Sequence, residues 1–160
     1  MYFTLTCYRK NEFPIFYEII QWDTFGSGCS VVKASALKGI NFDESFEFGF
    51  GEDADFGMQL RNIGVDVLYL PEPRILHLKA PMGGFRTKFA HPWENELILP
   101  KPSPTIMYFR KKYHTDKQLK GYKTLLFIKY YFEQNIKNPF RYIFQMNKQW
   151  EVSKYWANKL

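Results

Sequence analysis

The amino-acid sequence predicts an α/β fold followed by a helical tail, and three patterns support this prediction. Apolar residues recur at helical spacing from residue 53 to a glycine at residue 64. Residues 65–70 and 74–78 are extended apolar runs on either side of a proline turn. Residues 118–132 again place apolar and aromatic side chains at helical spacing, with lysines interleaved.

The first predicted helix has signals at both ends. Asp53 can serve as the N-cap, because aspartate is common at that position, and Gly64 is well placed to end the helix. Phe56, Leu60 and Ile63 fall at i, i+4 and i+7, which predicts one apolar stripe.

The other segments are read from their turn and breaker residues. We expect a turn of small residues entering a strand at 26–32, one short helical turn at 35–40, a loop rich in Phe and Gly at 41–51, an irregular surface segment with five prolines at 79–104, and a helix after Asn138-Pro139. The long irregular segment is of a kind that often carries function.

Composition limits the protein to one core of ordinary size. The chain has 160 residues, of which 46% are hydrophobic and 19% aromatic, and aromatic residues serve both cores and sugar-binding surfaces. Residues 1–100 carry 9 Lys or Arg against 13 Asp or Glu, whereas residues 101–160 carry 13 against 3. A tail this basic can meet nucleic acid, anionic lipid or phosphorylated substrates.

The cysteine pattern and hydropathy bear on location. Cys7 and Cys29 are far apart in sequence and have no nearby histidine at metal-ligand spacing, so we expect neither a disulfide framework nor a zinc site. A reducing compartment fits this pattern. Because we find no signal-peptide pattern and no long apolar run, we expect a soluble or membrane-peripheral protein in the cytoplasm.

An ordered series of short motifs runs through the centre of the chain: Gly26-Ser27-Gly28-Cys29-Ser30, Ala36-Leu37, Phe42-Asp43-Glu44-Ser45-Phe46, Gly51-Glu52-Asp53-Ala54-Asp55-Phe56, Leu60-Arg61, Gly64, Tyr69-Leu70-Pro71 and His77. The series resembles the C-terminal half of family 2 glycosyltransferases of the GT-A fold, in particular the galactosyltransferase type. This resemblance implies a mixed sheet with flanking helices in residues 1–100, as the acceptor-side half, and a basic, aromatic helical extension in residues 101–160. It also implies inverting transfer of a monosaccharide from a nucleotide-diphosphate sugar to a glycan or lipid-linked acceptor.

The acidic run supplies the candidate chemistry. Sugar transfer requires a carboxylate that takes the proton of the acceptor hydroxyl, and the family motif places this base at Asp53. Glu52 would then bind the acceptor. A plain helix cap is the alternative for Asp53, and Asp55 is expected to be structural.

The resemblance also implies a divalent metal, Mn or Mg, with His77 as its ligand after the second short strand. A hydrogen-bonded core histidine is the alternative for His77. Lys79 and Arg86 flank two adjacent glycines and could close on the donor diphosphate, with a solvated turn as the alternative. Trp93 is a candidate for stacking on the acceptor sugar, or else a packing anchor.

Gly26, Ser27 and Gly28 are the remaining donor-site candidates, because small residues let the backbone approach a ligand. A plain turn is the alternative, and Gly28 stands where the family often has Asn. Residues before Gly26 include no Asp-x-Asp motif of the kind that holds the nucleotide in the family. We therefore expect a truncated chain that is inactive in isolation.

Two further function classes stay open. A non-catalytic carbohydrate-binding or partner module could derive from such an enzyme. The basic tail could be a packed helix with a solvated lysine face, or it could attach peripherally to an anionic membrane. Nucleic acid is not among the expected partners.

Overall fold

The computed structural model describes residues 2–8, 16–76 and 90–160, with the backbone alone at residues 2–8 and 74. The chain divides into two compact units. The first comprises Met1–Glu44 and Glu52–Lys88, and the second comprises Ser45–Gly51 and Phe89–Leu160. The segment 45–51 thus belongs with the C-terminal residues, a discontinuity that the sequence division at residue 100 did not anticipate.

The first unit contains a small mixed sheet. Its described strands are β1 (Tyr2–Tyr8), β2 (Ile20–Gln21), β3 (Ser30–Val31) and β4 (Val67–Leu76). They lie in the order β2-β4-β1-β3, with β1 parallel to β4 and both edge strands antiparallel to their neighbours. Together with the helices, this sheet confirms the predicted α/β class.

The two strands predicted around the proline turn form one irregular strand, β4. Leu5 of β1 pairs with Leu70, whereas the next residue, Thr6, pairs with Arg74. Residues 71–73 therefore bulge out of the register. Because Pro71 and Pro73 have no N–H group to donate to a neighbouring strand, they are suited to such an interruption.

Helix α1 (Glu52–Asn62) packs the core of the first unit against the sheet. Phe56 and Leu60 are buried together with Val67 of β4, as the predicted stripe requires. Ile63 is 53% exposed, so the third member of the stripe was wrong. The helix has already ended at that point, and its apolar face no longer continues.

The end of α1 at Gly64 is confirmed. Gly64 has φ +78°, and its N–H donates to the carbonyl of Arg61 while the N–H of Val65 donates to the carbonyl of Leu60. These two bonds form a Schellman motif, in which glycine is favoured because it adopts a left-handed conformation without strain.

The second unit is helical in its described part, with α2 (Pro104–Tyr113), α3 (Asp116–Glu133) and α4 (Pro139–Ala157). The predictions for α3 and α4 are confirmed, and their N-termini carry the side-chain caps Thr115 and Asn138. α2 was not predicted. Its Met107 is buried in one core cluster with Trp150 of α4.

The structure bears on two of the sequence-based expectations about location, those on membrane spans and on cysteines. Among the residues that the structure describes, no helix is long and apolar enough to cross a bilayer. Cys29 is disulfide-bonded, against the expectation of unpaired cysteines. Distance along the chain did not reveal this, since β1, which carries Cys7, pairs with β3, which directly follows Cys29.

The end of α2 predicts a pH-dependent stability. Burial, and next the Arg110 guanidinium 3.0 Å from the His114 ring, lower the pKa of His114 from 6.5. The unfolded chain therefore binds a proton at this site at a higher pH than the folded one, and the stability contribution falls as pH drops below about 6.5. Replacing His114 with Gln should reduce the loss of unfolding free energy between about pH 7.5 and pH 5.5. Urea unfolding measures this, and parallel profiles for the two proteins would contradict it.

Candidate functional site

The carboxylates predicted for catalysis (Asp53) and acceptor binding (Glu52) lie in the first turn of α1. The helix begins at Glu52, directly after Gly51, whose φ of +134° few other residues adopt. Asp53 is therefore the second helical residue and not the cap that the sequence suggested. Glu52 and Asp53 are both half-buried, so neither is enclosed in the core.

The carboxylate of Asp53 is held by the segment that precedes β3. Its Oδ1 accepts a hydrogen bond of 3.2 Å from the backbone N–H of Ser27. The backbone N–H of Phe25 donates to the carbonyl oxygen of Asp53 at 3.1 Å. Within the described part of the chain, Oδ2 of Asp53 has no hydrogen-bond partner. The hydrogen bond from Ser27 thus fixes the orientation of the carboxylate through one of its two oxygens.

This contact brings together residues that the sequence singled out separately. Ser27 opens the 3-10 turn Ser27–Cys29, for which Gly26 is the N-terminal cap residue. The hydroxyl of Ser30 donates to the carbonyl of Gly26 and closes the turn. The predicted base and the predicted donor-side turn are therefore in direct contact, although about 25 residues separate them along the chain.

The remaining space at the turn lies in front of Gly28. Ser27 and Gly28 are exposed, and a Cβ added to Gly28 would meet no atom within 4 Å. Gly28 does not have a positive φ, so its backbone conformation does not demand glycine either. Packing within the described residues therefore gives no reason for glycine at this position, and both the ligand-approach and the plain-turn interpretations stay open.

Helix α1 positions the turn through two residues that the sequence analysis did not select for this role. The Arg61 guanidinium donates to the carbonyl of Trp22 at 3.4 Å and also to the carbonyl of Asp23. Gly57 lies so close to the same segment that an added Cβ would be 3.0 Å from the backbone nitrogen of Phe25. A glycine inside a helical pattern was the available signal, because glycine is unfavourable in a helix interior and permits a close approach that other residues would block.

Asp55 has a structural environment, as expected. Its side chain is fully buried, and Oδ2 accepts a hydrogen bond of 2.7 Å from Nε2 of Gln59. Gln59 also donates to the carbonyl of Asn41 at 2.9 Å, which ties the helix to the preceding loop. Asp55 is therefore not a second base.

Trp93 lies in the second unit, and its environment favours the packing-anchor alternative. It is 6% exposed and stacks on His91 with ring centroids 5.2 Å apart. Trp156 lies 6.2 Å from the Trp93 ring and donates its Nε1–H to Glu96. Little of the Trp93 ring surface is left for a sugar.

Three predicted site residues, His77, Lys79 and Arg86, lie outside the described residues. Among the residues that are described, no three His, Cys, Asp or Glu side chains group as they would around a metal ion. Asp55, one of the three carboxylates in the first turn of α1, is buried against Gln59. The described side chains do not by themselves form a metal site, and the roles assigned to the other three residues stay predictions.

Comparison of the chain with protein-family models, with curated proteins and with solved structures found no match. The fold is therefore established at the level of a mixed α/β architecture. Any functional conclusion depends on the arrangement of Asp53, Glu52 and the Ser27 turn.

Proposed function

We propose that this protein is a glycosyltransferase, with the first unit as the acceptor-side part of a GT-A fold. The observation that carries the proposal is the Asp53 carboxylate, held through Oδ1 by the N–H of Ser27 at the start of α1. A half-buried carboxylate at a helix N-terminus sits where the helix dipole favours negative charge. A general base needs this combination of fixed orientation and access.

In the proposed reaction, an acceptor hydroxyl attacks the anomeric carbon of a nucleotide-diphosphate sugar. Oδ2 of Asp53 takes the hydroxyl proton as the new carbon–oxygen bond forms. The bond from the anomeric carbon to the diphosphate breaks, and the nucleoside diphosphate leaves with that electron pair. Attack from the opposite side inverts the anomeric configuration.

The neighbouring residues receive roles from their positions and from the family resemblance. Glu52 precedes the base on the same helical turn and is half-buried, which suits a carboxylate that binds acceptor hydroxyls. The exposed backbone of Ser27 and Gly28, after Gly26, offers a surface for the sugar donor. We further propose that Lys79 and Arg86 contact the diphosphate and that a divalent ion, Mn or Mg, binds at His77.

The cellular location follows from the same proposal. Nucleotide sugars and lipid-linked acceptors would place the protein at the cytoplasmic face of a membrane. The disulfide at Cys29 weighs against a strongly reducing compartment, since disulfides persist mainly in oxidising ones. Labelling of free thiols in protein taken directly from cells shows whether Cys29 is disulfide-bonded there.

Deletion of the coding sequence in the source organism tests the proposed function. We expect the glycan of the deletion strain to lack the monosaccharide that this protein transfers, together with any sugar that is normally attached to it. Mass spectrometry of the purified glycan measures this loss, and expression of the wild-type protein should restore it. An unchanged glycan would contradict the proposal. A lower amount of glycan with an unchanged sugar composition would instead indicate a carbohydrate-binding or partner module.

A further inference from the structure

The second unit exposes an apolar surface on α3 and α4 that the proposed sugar transfer does not use. We call it the apolar patch, and its members are Leu125, Ile128, Phe132, Phe140 and Ile143. Their exposed fractions run from 49% for Ile143 to 84% for Phe140. Single exposed apolar residues are ordinary, whereas a contiguous group of large ones marks an interaction surface.

Helix α3 is apolar on two opposite faces. One face, with Leu119, Tyr122 and Leu126, packs against the buried core of the second unit. Leu125, Ile128 and Phe132 follow one another at i, i+3 and i+7 and point away from that core. No residue of α3 is fully buried. Because α3 packs on the core of the second unit through one face only, its folding does not require this second apolar stripe.

A groove joins the α3 stripe to α4. It has a volume of about 460 Å³ and is lined mainly by aromatic and aliphatic side chains, among them Phe127, Ile128, Phe132, Tyr142 and Ile143. Phe140 precedes Ile143 by three residues on α4 and so lies on the adjoining exposed surface. The apolar patch is therefore continuous across both helices.

Positive charge flanks this patch. At the helical spacing of 100° per residue, Lys117 and Lys120 fall on one side of the α3 stripe and Lys129 falls on the other. All three are exposed. The ion pair of Lys129 with Glu133 spans 3.9 Å between exposed side chains and leaves most of the lysine charge available. Lys123, by contrast, turns inward and donates to Asn147.

We propose that the apolar patch docks on an anionic lipid bilayer. The apolar side chains would enter the boundary between headgroups and acyl chains, and the three lysines would contact lipid phosphates. Residues 101–160 carry 13 Lys or Arg against 3 Asp or Glu, so their charge complements an anionic surface. A symmetric dimer through the same patch would instead place equal lysine borders near each other, which disfavours a second copy as the occupant.

Sedimentation of the full 160-residue chain with lipid vesicles tests this proposal. At about 0.1 M salt, we expect vesicles of phosphatidylglycerol and phosphatidylcholine to bind at least about tenfold more tightly than phosphatidylcholine alone, and binding should weaken as salt rises. The double substitution Lys117→Gln and Lys120→Gln should weaken binding about tenfold or more. Lys33→Gln with Lys38→Gln removes the same charge from exposed positions of the first unit and should leave the affinity nearly unchanged.

The apolar contribution is tested separately. Leu125→Ser with Phe132→Ser should weaken vesicle binding about tenfold or more, and Ile63→Ser, at an exposed site in the first unit, should not. Because both patch residues are 70% exposed or more, circular dichroism should show unchanged folding. Absence of binding to anionic vesicles at low salt overturns the proposal. So does binding that the lysine variants weaken and the serine variants do not, which would indicate a general polyanion site, or self-association through the patch without vesicle binding.

Discussion

Gly57→Ala is expected to destabilise the first unit, although alanine is intrinsically the better helix former. An added Cβ would be 3.0 Å from the backbone nitrogen of Phe25 and 3.3 Å from the carbonyl oxygen of Asp23. Backbone atoms cannot move aside as the end of a flexible side chain can, so the segment 22–27 must shift away from α1. We expect a loss of about 1–3 kcal/mol, as for other insertions into closely packed sites. Urea unfolding measures it.

Gly121→Ala is the matched control. Gly121 also lies inside a helix, α3, but a Cβ there would meet nothing within 4 Å. Alanine should therefore stabilise the second unit by up to about 1 kcal/mol through helix propensity alone. Opposite signs at the two glycines support close contact between α1 and the 22–27 segment, whereas stabilisation at both would show that no such contact exists.

Asp53→Asn is expected to abolish restoration of the glycan in the deletion strain. Asparagine matches aspartate in shape, and its amide oxygen can still accept the N–H of Ser27, so the turn should remain in place. The asparagine side chain cannot, however, take a proton from an acceptor hydroxyl. Loss of general base catalysis lowers rates by about 10²–10⁴-fold. By mass spectrometry, the monosaccharide should therefore be added to the glycan at no more than about 1% of the rate seen with the wild-type protein.

Asp66→Asn serves as the control for this substitution. Asp66 is exposed in the same unit and accepts a hydrogen bond of 2.8 Å from Gln21, which an amide oxygen can also accept. This variant should restore the glycan fully. If Asp53→Asn also restored it, the protein would be a binding module and not the transferase. Equal abundance of the two variants in the cell must be established by immunoblotting.

Local signals predicted α3 and α4. Apolar spacing over 118–132 predicted α3, and the proline after Asn138 predicted the start of α4. Thr115, which caps α3 ahead of the predicted segment, was not recognised. α2 was missed because its signal, proline directly after Ser103, ended a segment that already held four other prolines. The buried Met107 of α2 packs in one cluster with Trp150, which lies far along the chain, so the neighbouring sequence does not indicate this contact.

The candidate site was predicted in its parts and not in its assembly. The sequence indicated Asp53 and the Gly26–Gly28 turn independently, and the fold alone shows that Ser27 donates to the Asp53 carboxylate. Gly57 and Arg61 hold these parts together through backbone atoms of residues 22–25. Contacts to backbone leave no pattern in the residue types of the partner segment, so one sequence could not reveal them.

The rate of sugar transfer at saturating donor and acceptor tests the central claim most directly. It should be measured with the wild-type protein and with Asp53→Asn, each purified from the source organism together with whatever partner it retains. We predict a rate at least about 100-fold lower for the variant, with acceptor binding changed by no more than about twofold, because only proton removal is lost. Equal transfer rates for the two proteins would show that the Asp53 carboxylate is not the base.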